Sequence, residues 1–307
     1  MSFRFHLPLL FSCLLSLYLL FVFVNYVENS MKMTIGMAVY DDYDGVVFTC
    51  QALALYHDLR DCEIVIVDNN PRSPQGIHTA GYAQSVSARK EGLVRYIPMP
   101  ESVGTTQPRN RVFAEARGEI VVCLDPHVLL VPGALSRLLR WYQDHPDSQD
   151  ILSGPLLYDD LHRCETHFAP IWNVDEITEA NGTTRKRYSE MWGRWASDPR
   201  GQHPDADSFE IWGQGLGLFS CRRSAWLKFN EHFRGFGGEE GYIHEKFRQA
   251  GHRALCLPFL RWWHRFGRPA GVPYPLTRWN KVRNYVLGHQ ELGLELDPVR
   301  EHFVDSG

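Results

Sequence analysis

Asp125 and His127 are the residues of this sequence whose types and spacing most directly suggest chemistry. They follow the apolar run 119–124 (EIVVCL), and in extended chain residues two apart point the same way, so a carboxylate and an imidazole can face one point. Such an O and N donor pair suits a hard divalent cation, Mn²⁺ or Mg²⁺, whose charge offsets that of a diphosphate. Asp-Pro is also a common turn opener, so the pair alone leaves both readings open. Arg109 offers a guanidinium that can pair with phosphates, or bridge to a carboxylate from a helix start. Glu239 and Glu240 open a helix, where the macrodipole favours acidic residues. His264 lies among tryptophans and by itself reads as a half-buried side chain.

These residues need elements to bring them together. From residue 34 onward apolar strands alternate with helical patterns, the mark of an α/β fold with a mainly parallel sheet flanked by helices. Strands are predicted over 34–39, 63–67, 93–99 and 119–124, and helices over 48–56, 107–117 and 132–145. In open α/β sheets ligands bind beyond the carboxyl ends of the strands. Tyr40-Asp41-Asp42, Asp68-Asn69-Asn70 and Asp125-Pro126-His127 all fall at such ends. An Asp there can accept from a nucleobase N–H or a ribose hydroxyl, or cap the Asp68–Pro71 turn. In the second half, 151–169 and 208–222 read as extended. The polar stretch 175–187, with its Asn-Gly, reads as a surface loop. A helix over 239–250 ends at Gly251 and is followed by a strand over 253–257.

The order of motifs resembles a known family. Gly104-Thr105-Thr106-Gln107-Pro108-Arg109-Asn110 precedes a helix and then EIVVCLDPHVLLVPGAL. This is similar to the family 2 glycosyltransferases, with a glycine, an Arg-Asn pair at a helix start, an apolar strand and an Asp-x-Asp ending. His127 replaces the second Asp, a departure that resembles the polypeptide N-acetylgalactosaminyltransferases, which use Asp-x-His. Gly235-Phe236-Gly237-Gly238-Glu239-Glu240 and, later, Leu257-Pro258 and Trp263-His264-Arg265-Phe266 look like the later segments of those enzymes. The Gly-rich stretch 212–219 resembles a strand lining their acceptor site. The resemblance covers nearly all of residues 34 to 268.

It implies a single-domain GT-A fold and a cation held by Asp125, His127 and His264. It implies nucleotide contacts from Val39, Asp41 and Asp68, with Arg109 and Asp125 toward the diphosphate. The donor would be a nucleotide-diphosphate sugar, UDP-linked, and the acceptor a hydroxyl of a carbohydrate, a lipid-linked group or a protein. The transferred group would be a hexosyl or N-acetylhexosaminyl unit. Glu240 would be the general base of an inverting transfer. In a retaining transfer no such base is needed, and Glu239 would contact the donor sugar.

Two other readings stay open: a sugar nucleotidyltransferase, and a catalytically silent sugar-binding protein of the same fold. Against the first, the segment after the first strand, Tyr40 to Gly45, is acidic where a basic Gly-rich loop is expected. With 307 residues, 44% hydrophobic and 22% charged, the chain can bury a sizeable core. Its net charge of -4 gives no reason to expect nucleic-acid binding. Seven cysteines without a CxxC pair favour a reducing compartment. Residues 7–24 are uncharged and as a helix would reach about 27 Å, enough for a single-pass anchor. The expectation is therefore a membrane protein with a cytoplasmic catalytic domain, or a soluble cytoplasmic one if translation starts at Met31 or Met33. The organisation expected is a hydrophobic segment 1–30, a catalytic domain 31–290 with a nucleotide half 31–150 and an acceptor half 151–290, and a tail 291–307.

Overall fold

The computed structural model describes residues 31–305 apart from 90–92, 101–103, 161–163, 170–173, 179–180, 189–193 and 268–270. Its centre is an eight-stranded mixed sheet. The first half supplies β1 (Met33–Val39), β2 (Cys62–Asp68), β3 (Val94–Pro98) and β4 (Ile120–Leu124), all parallel, with β1 between β2 and β4. Every residue of β2 and β4 is buried. Strands covered on both faces read as unbroken apolar runs, and each fully buried Val or Ile contributes about 1.5–3 kcal/mol.

Between these strands run α1 (Tyr43–Tyr56), α2 (Pro74–Arg89) and α3 (Thr106–Glu115). After β4 come a short strand β5 (Val128–Leu130) and α4 (Ala134–Asp144). The expected strands and helices of this half are present within a few residues of their predicted ends.

The second half extends the same sheet with β6 (Ile151–Ser153) and folds out through β7 (Leu156–Leu157), β8 (Cys164–Glu165) and β9 (His167–Ala169). Next is a hairpin of β10 (Val174–Thr178) and β11 (Thr184–Tyr188), which corrects the reading of 175–187 as a loop. Its Asn181-Gly182 sits at the turn, with Gly182 at φ 81. The chain then continues through β12 (Arg194–Ala196), β13 (Phe209–Glu210) and β14 (Leu218–Arg222). Helix α5 (Glu239–Gln249) leads to β15 (Ala254–Cys256), β16 (Trp262–His264) and α6 (Arg278–Leu292).

The completed sheet runs β13-β15-β6-β14-β4-β1-β2-β3, and a second sheet runs β5-β16-β7-β8. β14 is antiparallel to β4, so its start lies beside the end of β4: Leu218 pairs with Leu124, and Asp125 N–H donates to Gly217 O at 2.9 Å. Beyond α6, Val299 and Phe303 pack on Tyr285. Six cysteines, all but Cys13, are buried thiols outside any disulfide.

The membrane placement is corrected. Among the described residues no helix is long and apolar enough to cross a bilayer. The longest, α2, has 16 residues, about 24 Å against the roughly 30 Å of a hydrocarbon core, and is rich in polar side chains. The segment 7–24 lies outside the described residues, and a single-pass protein is not supported.

Candidate functional site

The carboxyl ends of β1, β2 and β4 open onto one cleft of about 310 Å³, within the range of small-molecule sites. Val39, Tyr40, Asp42, Asn69, Asn70, Arg109, Asp125 and His127 line it from the first half, and Phe236 and Tyr274 from the second. Tyr274 meets Tyr40 edge-on at 6.4 Å between ring centroids.

Asp125, His127 and His264 converge at the edge of this cleft. His127 Nε2 lies 3.2 Å from His264 Nε2 and 3.8 Å from Asp125 Oδ2, and His264 Nε2 lies 3.9 Å from the same oxygen. The point equidistant from the three donor atoms is about 2.1 Å from each, the circumradius of the triangle, and this is the bond length of a small divalent cation to O and N donors. The donor set and its spacing therefore fit a divalent metal ion. His264 reaches the site because β16 pairs antiparallel with β5, setting His264 opposite Val128, with Arg265 N–H donating to His127 O at 3.2 Å.

Surrounding groups fix each donor. Arg109 is buried in α3, and its Nη2 donates to Asp125 Oδ1 at 2.8 Å and to Leu216 O at 3.3 Å. The guanidinium thus bridges to a carboxylate, leaving Oδ2 for the histidine side. Asp42 Oδ2 sits 2.7 Å from His127 Nδ1, while Asp42 Oδ1 accepts from Gly45 N–H at 3.1 Å and caps α1. From α1, Thr49 Oγ1 lies within hydrogen-bond distance of Pro126 O (2.7 Å) and Val128 O (3.0 Å), clamping the turn that carries His127. A Cβ at Gly217 would stand 2.7 Å from Trp262 Cζ3 and 3.3 Å from His264 Cδ2, so the absence of a side chain there admits these two rings. The Gly-rich stretch is filled similarly at Gly213 by His244 and at Gly215 by Trp195.

Asp41 and Asp68 stand behind the cleft wall. Asp41 has φ 48, a left-handed conformation that Asp tolerates better than most residues. Its carboxylate accepts from Asn70 Nδ2 at 2.9 Å and from Ser73 Oγ. Asp68 is fully buried, accepting from Asn70 N–H at 2.9 Å and Tyr96 Oη at 2.8 Å. Burial pushes its carboxyl above the usual range. The two acids shape the Asn69-Asn70 turn that lines the cleft.

Glu239 is buried and joins the loops on either side of the cleft. Thr105 Oγ1 donates to its Oε1 at 2.7 Å and Gly237 N–H to its Oε2 at 2.6 Å. Gly104 and Gly235 form the adjoining bridge, and a Cβ on Gly104 would lie 2.4 Å from Gly235 O. Burial, then the neighbouring Glu239 carboxylate, pushes Glu240 up to about 8, opposed by Arg109 and Lys281. An acid so raised can hold or take a proton near neutral pH.

Thr49 and Tyr274 were not singled out by the sequence, and Asp42 was named only as part of the Tyr40-Asp41-Asp42 strand end, without a role. Asp42 carries a local signal, a helix-capping Asp directly after a strand end. Thr49 and Tyr274 carry none.

The family model described as glycosyl transferase family 2 matches residues 34–197. No curated protein matches the chain at a significant level. Among solved structures, GalNAc-T7 with UDP, GalNAc and Mn²⁺ is similar at a TM-score of 0.61 and 14% identity, covering 90% of this chain and 50% of that one. The mannosyltransferase PcManGT from Pyrobaculum calidifontis, in complex with GDP-Man and Mn²⁺, gives 0.54 and 14%, covering 90% and 68%. TarS 1-349 of S. aureus in complex with UDP gives 0.53 and 13%, covering 90% and 70%. The chain spans half the length of the GalNAc-T7 structure, and at these identities the likeness is one of fold. With a mixed sheet flanked by helices and a family match over more than half of its length, the chain belongs to glycosyl transferase family 2 and has its GT-A fold.

Proposed function

We propose that this protein is a metal-dependent glycosyltransferase that moves a sugar from a nucleoside-diphosphate sugar, UDP-linked, to a hydroxyl acceptor. The observation that carries the reading is the triangle of Asp125, His127 and His264 donors at the edge of the cleft. A divalent cation bound by these three would supply positive charge to the diphosphate leaving group. Arg109 orients Asp125 through a charge-assisted hydrogen bond. Tyr40 and Tyr274 offer ring faces and edges to a nucleobase in the cleft, which the amides of Asn69 and Asn70 also line. Similar structures hold UDP with Mn²⁺ or GDP-Man with Mn²⁺, which supports a nucleotide-sugar donor.

Glu240 is the group with the proton affinity for general-base work in an inverting transfer. Glu239 has both oxygens engaged and acts by holding the Thr105 and Gly237 loops together. The test is nucleotide release from a panel of UDP- and GDP-sugars, with and without Mn²⁺. Metal-dependent turnover of UDP-sugars is expected, and the absence of metal-dependent turnover or donor binding would overturn the reading.

A further inference from the structure

We infer that Asp42 is a positioning residue for the metal site, selecting the tautomer of His127 that turns a lone pair toward the cation. The inference rests on the metal reading above and adds a residue to it.

The geometry is specific about direction. A carboxylate oxygen accepts only, so the 2.7 Å contact between Asp42 Oδ2 and His127 Nδ1 assigns the ring proton to Nδ1. Nε2 of the neutral ring is then the lone-pair nitrogen, and it is the atom that faces His264 Nε2 and Asp125 Oδ2. The opposite tautomer would aim an N–H at the point where a cation has to sit. Second-neighbour carboxylates that hold a ligating imidazole in this way fix its orientation and raise its basicity.

Asp42 is itself held in place at the start of α1. Gly45 N–H binds its other oxygen, and a Cβ on Gly45 would lie 2.6 Å from that oxygen and 2.8 Å from Pro126 O. The left-handed Asp41 turns the chain so that Asp42 leaves β1 facing the His127 turn. His127 is buried and Asp42 half-buried where both line the cleft. One carboxylate thus starts α1 and sets the donor face of a histidine 85 residues away.

Asp42→Asn tests this. Asn keeps the volume and can still cap α1 through its carbonyl oxygen. It then presents an amide donor to Nδ1, favouring the tautomer with the proton on Nε2. Mn²⁺ binding to the metal-free protein is measured by the free-ion electron paramagnetic resonance signal for wild type, Asp42→Asn and His264→Ala, with the unfolding midpoint taken in EDTA. We expect binding by wild type, loss in His264→Ala, and roughly 10–100-fold weaker binding in Asp42→Asn at an unchanged midpoint. Wild-type affinity in Asp42→Asn overturns the role of Asp42 and leaves the metal reading standing. No Mn²⁺ binding by wild type overturns both.

Two-bond ¹⁵N–¹H spectra of the metal-free wild type decide the case even where Asp42→Asn folds poorly. His127 protonated at Nδ1 supports the inference, and His127 protonated at Nε2 overturns it.

Discussion

Glu240 and Gly217 make opposite demands on the site, one through charge and one through space. The ordinary carboxyl of Glu240 would ionise near 4.5, but in the folded chain it is pushed up to about 8. Between those values the unfolded state binds fewer protons than the folded state. Stability therefore falls as pH rises from about 4.5 to 8 and is level above. Glu240→Gln removes this dependence, so its unfolding midpoint should exceed that of wild type by a margin that grows up to about pH 8. Equal margins at pH 5 and pH 8 would refute the shift. If Glu240 is the base, transfer by wild type should rise with pH toward 8, while Glu240→Gln loses transfer and keeps donor binding. Full activity in that variant would point to retention. Gly217→Ala acts by volume. Trp262 is fully buried and its indole donates to Gly154 O at 2.8 Å, so the ring cannot yield to a new methyl group. We expect a loss of about 1–3 kcal/mol in denaturant unfolding, and weaker Mn²⁺ binding as His264 is displaced.

At the scale of elements, the site depends on segments that join loops distant in sequence. Glu239, at the start of α5, binds Thr105 ahead of α3 and Gly237 in its own approach loop. Glu239→Ala leaves the buried Gly237 N–H and the half-buried Thr105 hydroxyl without their acceptor, and should cost about 1–3 kcal/mol, read by chemical denaturation; a change below a few tenths would mean that water replaces the clamp. How legible such elements are follows from where they bury their residues. β1, β2 and β4 were readable because buried parallel strands are continuous apolar runs, and Asp125 and His127 came with β4. α2 passed unnoticed because only Gly76, Thr79 and Ala83 are buried along its 16 residues, too small and polar a face to show a period. The β10–β11 hairpin read as a loop because its sequence, VDEIT and TRKRY, is dominated by polar residues and lacks an apolar alternation. His264 had no local signal at all. Its place is set by the β5–β16 pairing across more than 130 residues, and only a family resemblance pointed to it.

For the whole molecule, the consequence is that the three proposed metal donors come from both halves of the chain. Asp125 and His127 follow β4 in the first half, and His264 ends β16 in the second. The halves are already joined by the β4–β14 pairing and by the Glu239 clamp, so the cation is expected to add to an existing interface. A ligand that binds the folded chain and not the unfolded one stabilises by about 2.7 kcal/mol at a hundredfold excess over its dissociation constant. For a domain of this size each kcal/mol raises the midpoint by about 2–4 °C. Saturating Mn²⁺ should therefore raise the midpoint of the wild-type protein by roughly 5–10 °C, and EDTA should reverse the shift. His264→Ala takes away the second half's donor, so its midpoint in EDTA should stay close to wild type while the Mn²⁺ response largely disappears. A full Mn²⁺ response in that variant would show that the cation is bound by the first half alone, and would remove His264 from the metal site.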